Sequence, residues 1–545
     1  LLNLPKTALV IGNSQYPGAP LKNPANDASA IAAQLKQSGF EVTLLLDITR
    51  DAMTRAIGAH AALLAKTKAV GLFYFAGHGV QLAWRNFLLP VDAVIDKMED
   101  IPRQCVDLGA LISGITRAAN PMNMVILDAC RDNPFGSGKR VDQKGLSQID
   151  APPGTFLAYA TSPGNVASDG DGANGLYTEN LLRELKVPEA KIEDVFKRVR
   201  LNVRRTSNGR QIPWESTSLE EDFWFLPPKQ IRSLSDDEKT RQFDAQLAVW
   251  QAAQKATQPE PFADYLRRYP NGVFSELAQL KLDTLLAQLG EKPIQIASSA
   301  GNPFTQGLVR ANMDYRPGDS YSYIEYDLES RARMREYTTV VMSVNDDEVL
   351  FREGLTVDRL GNTVRLPDGR NFTPRQDQPL EYAIGKKWTT RFGVTLQSGR
   401  RTDTEFEFRI TGKERVVVPA GTFDCFVIEG MGRGISDLGA TIILKLKRWM
   451  APDRVRRPVI IEEFRKVRYE RGDPPFGAFA GKGGFAGKGG FAGKGGFPGK
   501  GGFAGKGAGF AGKAPGGRLV RGPDGVLERT MNSERRELSA FKQAI

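Results

Sequence analysis

Five short, continuous apolar runs recur within the first 227 residues, with amphipathic stretches of helical period between and after them. Such runs are typical of strands that are buried on both faces, as they are in a parallel sheet covered by helices. They occupy residues 7–11, 42–46, 70–75, 122–127 and 155–160. Their alternation with helical patterns predicts an α/β domain over residues 1–228, with a mostly parallel sheet and flanking helices.

The remainder of the chain divides into three segments of different pattern. Residues 229–292 carry apolar residues three and four positions apart, which predicts a tetratricopeptide-like helical hairpin that serves as a connector or as a small interaction module. Residues 303–470 consist of alternating apolar and polar runs separated by turn signals, which predicts an antiparallel β domain in the form of a sandwich, a barrel or a half-barrel. Residues 471–545 follow as a Gly-rich segment.

This last segment contains the repeat Gly-Gly-Phe-Ala-Gly-Lys between residues 476 and 513. Its composition cannot form a packed core, so it predicts a disordered tail. The chain has a net charge of +11, of which +8 belongs to residues 471–545 together with 22 of the 57 glycines. The basic charge therefore describes the tail, which is either a flexible tether or a segment that binds anionic polymers.

Histidine and cysteine are scarce, with two and three residues in the whole chain. The three cysteines form no disulfide framework, and no spacing of Cys and His offers a zinc site, so no metal site is predicted. Cys105 and Cys425 lack a chemical context and are interpreted as structural. His60 lies in an amphipathic stretch, residues 49–67, and is interpreted as a packing or surface residue.

The remaining His and Cys follow two neighbouring predicted strands, in the segments "LFYFAGHGV" (72–80) and "MVILDACRDNP" (124–134). The carboxyl ends of parallel strands meet at one edge of a sheet, so His78 and Cys130 are expected to lie together there. A thiol is a weak nucleophile at neutral pH unless a neighbouring imidazole takes its proton. Backbone N–H groups of Gly79 and Cys130 are candidates for an oxyanion hole. The alternative is that Cys130 is a buried structural thiol.

These segments resemble the bacterial metacaspase and orthocaspase group of the caspase clan over residues 5–227. The motifs that carry the resemblance are "YFAGHG" and "LDAC", preceded by "ALVIGNSQY" and "LKNPANDA". The resemblance implies a caspase-like sandwich fold and a cysteine endopeptidase, with Cys130 as nucleophile and His78 as base. It implies hydrolysis without an organic cofactor. The alternative function is a catalytically weak caspase-like scaffold or binding protein of the cell envelope.

The predicted substrate pocket is acidic. Asp128 lies two residues before Cys130 and therefore on the same face of the strand, and the resemblance places a second pocket aspartate at Asp27. Carboxylates favour Arg or Lys before the scissile bond, in a peptide or protein substrate. Asp27 could instead cap the helix that it opens, with Asn26 as an alternative cap. Asp169, followed by Asp171 in a Gly-rich loop, either borders the pocket or only shapes the loop.

Calcium-activated metacaspases carry an acidic cluster near the nucleophile, whereas Asp107 here has no paired acid and Ser137 follows. The sequence therefore predicts no cofactor and leaves calcium activation open. The run "VPAGTFDCFVIEG" (418–430) resembles half-barrel domains of bacterial envelope proteins, which implies a lipid-like or protein ligand. This favours a periplasmic or secreted protein over a cytoplasmic one. The first residue is not Met, so a targeting segment was removed or the chain is a fragment, and no apolar stretch is long enough for a transmembrane helix.

Overall fold

The structure is a computed structural model that describes residues 1–130, 146–162, 172–292, 302–305, 307–437, 439–469, 519–522 and 526–543. Of Cys130, the backbone alone is described. Asp169, Asp171 and the repeat between residues 476 and 513 lie outside the described residues, and so does Ser137.

The predicted α/β domain is confirmed. Its main sheet has the strand order β2-β1-β3-β6-β7-β8, in which only β8 runs antiparallel to its neighbour. The elements are β1 (Lys6–Gly12), α1 (Pro24–Gln37), β2 (Glu41–Leu46), α2 (Arg50–Thr67), β3 (Val70–Leu82), β4 (Arg85–Leu88), α3 (Ile101–Gln104), β5 (Val106–Asp107), α4 (Leu108–Ala118), β6 (Asn123–Cys130), β7 (Thr155–Tyr159), α5 (Leu176–Glu184), α6 (Ile192–Thr206) and β8 (Trp214–Thr217).

Apolar side chains cover both faces of this sheet, because its strands are continuous apolar runs rather than alternating ones. Along β3, Tyr74 belongs to the cluster that packs against α1, α5 and α6, whereas Phe75 belongs to the cluster that packs against α2 and α4. Successive residues of a strand point to opposite faces. The sheet is therefore the middle layer of a three-layer sandwich.

The sequence interpretation ended the third strand at Phe75, and this boundary is wrong. β3 continues to Leu82 because its second half pairs with β4, with Gly79 opposite Leu88. His78 therefore lies inside a strand rather than in a loop after it. Hydrogen bonding to β4 on one side and the register with β6 on the other hold its backbone in place.

Residues 229–292 form a unit of three helices rather than a hairpin of two. Its core is aromatic, with Trp250 stacked on Phe274 at 5.8 Å between ring centroids. Leu201 of α6 belongs to the same cluster, so this core is completed by the first domain. The helices are α7 (Asp236–Ala253), α8 (Glu260–Arg268) and α9 (Ser275–Gln288).

The antiparallel β domain is confirmed, and of its three predicted forms it is the barrel, because its main sheet closes on itself. Closure comes from the pairing of β10 with β23, while β9 and β16 pair separately. The strands are β9 (Val309–Arg310), β10 (Ser320–Asp327), β11 (Arg333–Val344), β12 (Glu348–Phe351), β13 (Thr356–Asp358), β14 (Thr363–Arg365), β15 (Asn371–Phe372), β16 (Glu381–Tyr382), β17 (Lys387–Thr395), β18 (Arg401–Val418), β19 (Gly421–Ser436), β20 (Thr441–Met450), β21 (Ile460–Tyr469), β22 (Leu519–Arg521) and β23 (Leu527–Lys542).

The predicted boundary of this domain at residue 470 is wrong, since β23 belongs to the sheet. Seven of the sixteen residues of β23 are charged, and this composition hid the strand from a search for apolar alternation. In the structure these charges pair across strands, as Arg535 does with Glu462 and Arg536 with Glu463 of β21. The predicted tail therefore returns to the β domain, and Tyr469 and Leu527 are register partners.

A partly buried ion pair and a side-chain hydrogen bond to the backbone join the first domain to the β domain and the segment before it. Arg200 of α6 makes two hydrogen bonds to the Glu381 carboxylate of β16, at 3.1 and 3.2 Å. Asn302 donates to the carbonyl oxygen of Gln148 at 2.9 Å, so the segment leading into the β domain contacts the first domain. Among the described residues, no helix combines the length and the apolarity that a membrane span requires.

Candidate active site

His78 and Cys130 are partners in the parallel register of β3 and β6. Adjacent strands lie about 4.8 Å apart, so the two backbones are held at hydrogen-bonding distance at the carboxyl-terminal end of β6. Sequence reasoning predicted this juxtaposition from the order of the motifs. The sheet produces it because β6 is the direct neighbour of β3.

The His78 side chain is buried, and its Nε2 lies 2.9 Å from the carbonyl oxygen of Ala19. A carbonyl oxygen can only accept a hydrogen bond, so Nε2 carries the hydrogen in this contact. In the neutral ring, Nδ1 is then the basic nitrogen. The carbonyl of Ala19 thus fixes both the orientation and the tautomer of the imidazole.

Tyr16 lies in the loop between β1 and α1, as Ala19 does, and it also contacts His78. Its hydroxyl accepts a hydrogen bond from the backbone N–H of His78 at 3.0 Å and donates one to the carbonyl oxygen of Leu89, also at 3.0 Å. The two rings contact each other, with 4.5 Å between centroids. A Cβ at Gly77 would lie 2.5 Å from this hydroxyl, so the close approach of Tyr16 requires glycine there.

Gly79 also has a packing role. A Cβ added at this position would lie 3.1 Å from Cβ of Ala129 on β6, closer than ordinary van der Waals contact. Close packing against the neighbouring strand therefore favours glycine, apart from any part that its N–H plays in catalysis.

Asp128 lies on the face of the sheet that α1 and α5 cover, as the two-residue period of β6 predicts. The Thr178 hydroxyl of α5 donates to its Oδ2 at 2.6 Å. The Tyr74 hydroxyl lies 2.7 Å from Thr178 Oγ1, so it donates in turn to the threonine. A chain of two hydroxyl groups thus orients the carboxylate.

Asp27 is buried, and its Oδ1 accepts hydrogen bonds from Asn174 Nδ2 at 2.8 Å and from the backbone N–H of Gly175 at 3.0 Å. Gly175 is the N-cap of α5, so Asp27 joins the first turn of α1 to the start of α5. The alternative that Asp27 or Asn26 caps α1 is wrong, because the N-cap of that helix is Asn23.

Both aspartates act on one buried group. Burial raises the pKa of Tyr74 well above its ordinary value, and the negative charges of Asp128 and Asp27 raise it further. Tyr74 is therefore a neutral hydrogen-bond donor that lies within the electrostatic influence of both carboxylates. The structure brings Asp27 and Asp128 to the same region, whereas Asp169 lies outside the described residues.

The other His and Cys residues are buried away from this region. Burial lowers the pKa of His60 in α2 to about 4, so the imidazole is neutral at pH 7. Burial raises the pKa of Cys105 and of Cys425 to about 12, which leaves both as thiols. These environments support the interpretation of all three as packing residues.

Asp107, the acid considered for calcium, forms an ion pair with Arg85 and accepts a hydrogen bond from the backbone N–H of Gly109 at 2.8 Å. It is the N-cap of α4. Within the described ranges, no group of three or more His, Cys, Asp or Glu side chains is placed to hold a metal ion. Calcium activation stays open.

Sequence reasoning missed Thr178 and the carbonyl of Ala19, and it gave no role to Tyr16. Tyr16 ends the motif "ALVIGNSQY", so a signal for it was present. Thr178 stands in the segment "LYTENLLRE", where nothing distinguishes it from an ordinary helical residue. Its importance depends on the packing of α5 over β6.

The first domain has matches among known proteins. Residues 5–224 match the model of the caspase domain family. The chain is 28% identical over 235 residues to the mucosa-associated lymphoid tissue lymphoma translocation protein 1 homolog of Mus musculus, which covers 41% of this chain and 27% of that protein. It is 30% identical over 194 residues to the Homo sapiens protein of that name, which covers 33% of this chain and 22% of the relative. The matched part thus spans about a quarter of the length of these relatives.

Proposed function

We propose that this chain, in which residues 5–224 form a caspase-like peptidase domain, is a cysteine endopeptidase that cleaves after Arg or Lys. Cys130 is the nucleophile and His78 the base. The observation that carries the proposal is the register of β3 and β6, which makes these two residues direct partners. No other His and Cys of the described residues are paired in this way by the sheet.

The hydrogen bond to Ala19 supports a specific part for His78 in the proposed reaction. With Nε2 donating to the carbonyl oxygen, Nδ1 takes the proton of the thiol, and the thiolate attacks the substrate carbonyl carbon. The imidazolium then returns the proton to the leaving amine, and water hydrolyses the thioester in the same manner. The N–H groups of Gly79 and Cys130 are proposed to stabilise the oxyanion.

Preference for Arg or Lys follows from the charges near the nucleophile. Asp128 precedes Cys130 by two residues, and Asp27 is close enough to the same tyrosine to raise its pKa. Two carboxylates near one position favour a guanidinium or an ammonium group and disfavour a substrate carboxylate. The hydrogen bond from Thr178 keeps Asp128 in one orientation, which suits a pocket of fixed geometry.

The test is turnover by the purified full chain of fluorogenic peptides that end in Arg, Lys, Asp or Leu, with and without calcium. Cleavage after Arg and Lys is expected, with loss of all turnover in Cys130→Ala and His78→Gln. Cys425→Ala and His60→Gln are the matched controls and should retain activity. Equal turnover by wild type and Cys130→Ala, or none by either, would remove the peptidase function and favour a scaffold. Cleavage after Asp would refute the acidic substrate pocket but would leave the peptidase function standing.

A further inference from the structure

Arg457, in the loop between β20 and β21, carries a charge that no carboxylate of the described residues balances. Its guanidinium lies over the ring of Phe351, 5.3 Å from the centroid, and its Nε is enclosed without a hydrogen-bond acceptor. Part of the side chain remains open to solvent. Within the part of the chain that the structure describes, no carboxylate forms an ion pair with it.

Three nearby arginines, all from the strands or the loop around Arg457, do have carboxylate partners. Arg456 lies 2.9 Å from Asp319, with both side chains buried. Arg536 and Arg335 pair with the carboxylates Glu463 and Glu325, at 3.0 and 2.9 Å. Acidic partners are therefore available to arginines in this region. The missing partner at Arg457 is a local property of that residue, and an uncompensated buried charge is costly.

Tyrosines surround Arg457, but they do not neutralise it. Burial raises the pKa of Tyr315, Tyr321 and Tyr323 above the ordinary value, so all three are neutral at pH 7. The Tyr315 hydroxyl donates to the carbonyl oxygen of Arg456 at 2.9 Å, and the Tyr323 hydroxyl donates to that of Pro458 at 2.8 Å. These three tyrosines thus supply aromatic surface and neutral oxygen atoms around the single positive charge of Arg457.

We propose that Arg457 anchors a binding site in the β domain for a molecule that carries one carboxylate on an apolar body. A carboxylate has one negative charge, which matches one unpaired guanidinium, and its two oxygens suit the donor geometry of arginine. A phosphate monoester carries a charge of about −1.5 to −2 and would leave excess charge in this setting. The apolar body is matched by the aromatic surface of Phe351 and of Tyr323 stacked on Tyr337.

A fatty carboxylate and the C-terminus of an apolar peptide share this chemistry. Binding to the full chain is measured by titration calorimetry with octanoate, 1-octanol and octyl phosphate, and with acetyl-Leu-Leu bearing a free or amidated C-terminus. One of the two carboxylates is expected to bind saturably, about tenfold or more tightly than its uncharged counterpart. Which of them does so identifies the source of the ligand.

The decisive variant is Arg457→Met, which keeps the length of the side chain and removes its charge. The carboxylate should bind it about tenfold more weakly. Arg454→Met is the control, since Arg454 is an exposed arginine over Phe423 in the same loop, and it should bind as wild type does. Equal binding by wild type and Arg457→Met, tighter binding of octyl phosphate than of octanoate, or no carboxylate binding would each overturn the proposal.

Thermal unfolding gives a second measurement that does not need the variant to fold. The carboxylate that binds should raise the midpoint of wild type more than its uncharged counterpart does at equal concentration. No difference between the two would overturn the site. Arg457→Met without ligand should unfold no earlier than wild type, because it loses an unpaired buried charge. None of these readouts depends on peptidase activity.

Discussion

The Thr178 hydroxyl donates a 2.6 Å hydrogen bond to Oδ2 of Asp128, across the interface of α5 with the sheet. Thr178 is fully buried, and the Tyr74 hydroxyl donates to it in turn. The orientation of a carboxylate beside the proposed nucleophile is thus set by a helix that follows it by some fifty residues in the chain.

We expect Thr178→Val to lower kcat/KM for peptides ending in Arg about tenfold, because the carboxylate of Asp128 loses the donor that orients it. Turnover of a peptide ending in Leu should change much less. Thr178→Ser keeps the hydroxyl and should restore the preference for Arg. An equal loss on both peptides in the valine variant would mean that Thr178 supports the fold and not the selectivity.

Tyr16→Phe should weaken both the fold and the reaction. The variant keeps the ring contact with His78 but leaves the His78 N–H and the Leu89 carbonyl without their partner. The free energy of unfolding should fall by about 1–3 kcal/mol, measured by urea denaturation, and kcat should fall with it. Tyr326→Phe, on β10, is a suitable control and should leave both quantities unchanged. A kcat equal to that of wild type would show that the tyrosine does not position His78.

His60 should make the fold sensitive to acid. Its pKa is about 4 in the folded protein because of burial, against about 6.5 in the unfolded chain. Between these values the unfolded state binds more protons, so the free energy of unfolding falls as the pH drops from 6.5 to 4. His60→Gln should remove up to about 3 kcal/mol of this loss. Parallel stability curves for the two proteins over this pH range would contradict the assignment.

Removal of the closing strand should open the β domain. A chain that ends at residue 518 lacks β23, so the edges of β10 and β21 are left unpaired. Unpaired edges associate with other chains. We expect a lower midpoint of thermal unfolding and a larger species in size-exclusion chromatography. Leu538→Ala should cost about 2–5 kcal/mol without aggregation, because Leu538 is fully buried. A truncated chain that unfolds as wild type does would exclude a structural role for β23.

The Arg200–Glu381 pair should hold the first domain to the β domain. Arg200→Met leaves the Glu381 carboxylate without its main partner and should lower the free energy of unfolding by roughly 2–4 kcal/mol. Arg415→Met breaks an exposed ion pair with Asp424 and should leave stability unchanged. Equal stability of the two variants would mean that the interdomain pair contributes nothing.

The sequence predicted the parts of the site that depend on strand order and period. The pairing of His78 with Cys130 follows from two motifs at neighbouring strands. The sheet face on which Asp128 lies follows from the alternation of side chains along β6. The extent of β3 could not be read in this way. Its second half has a buried strand pattern only because β4 folds back to pair with it.

Partners that depend on tertiary packing were beyond the sequence. Thr178, Tyr16 and the Ala19 carbonyl are separated from the residues that they orient by some fifty or more positions. The closing strand was missed for a different reason. Its charges read as a solvated segment, yet Arg535 and Arg536 have partners on β21 that make them compatible with a sheet.

The pairing of β10 with β23 also sets an order of events during synthesis. Ser320 and Lys542 are register partners, so more than two hundred residues must leave the ribosome after β10 before its sheet can close. The peptidase domain, which ends near residue 224, can fold long before that moment, since domains fold as the chain emerges. The nascent chain can therefore carry a folded first domain beside a β domain that stays unfinished until β23 has emerged.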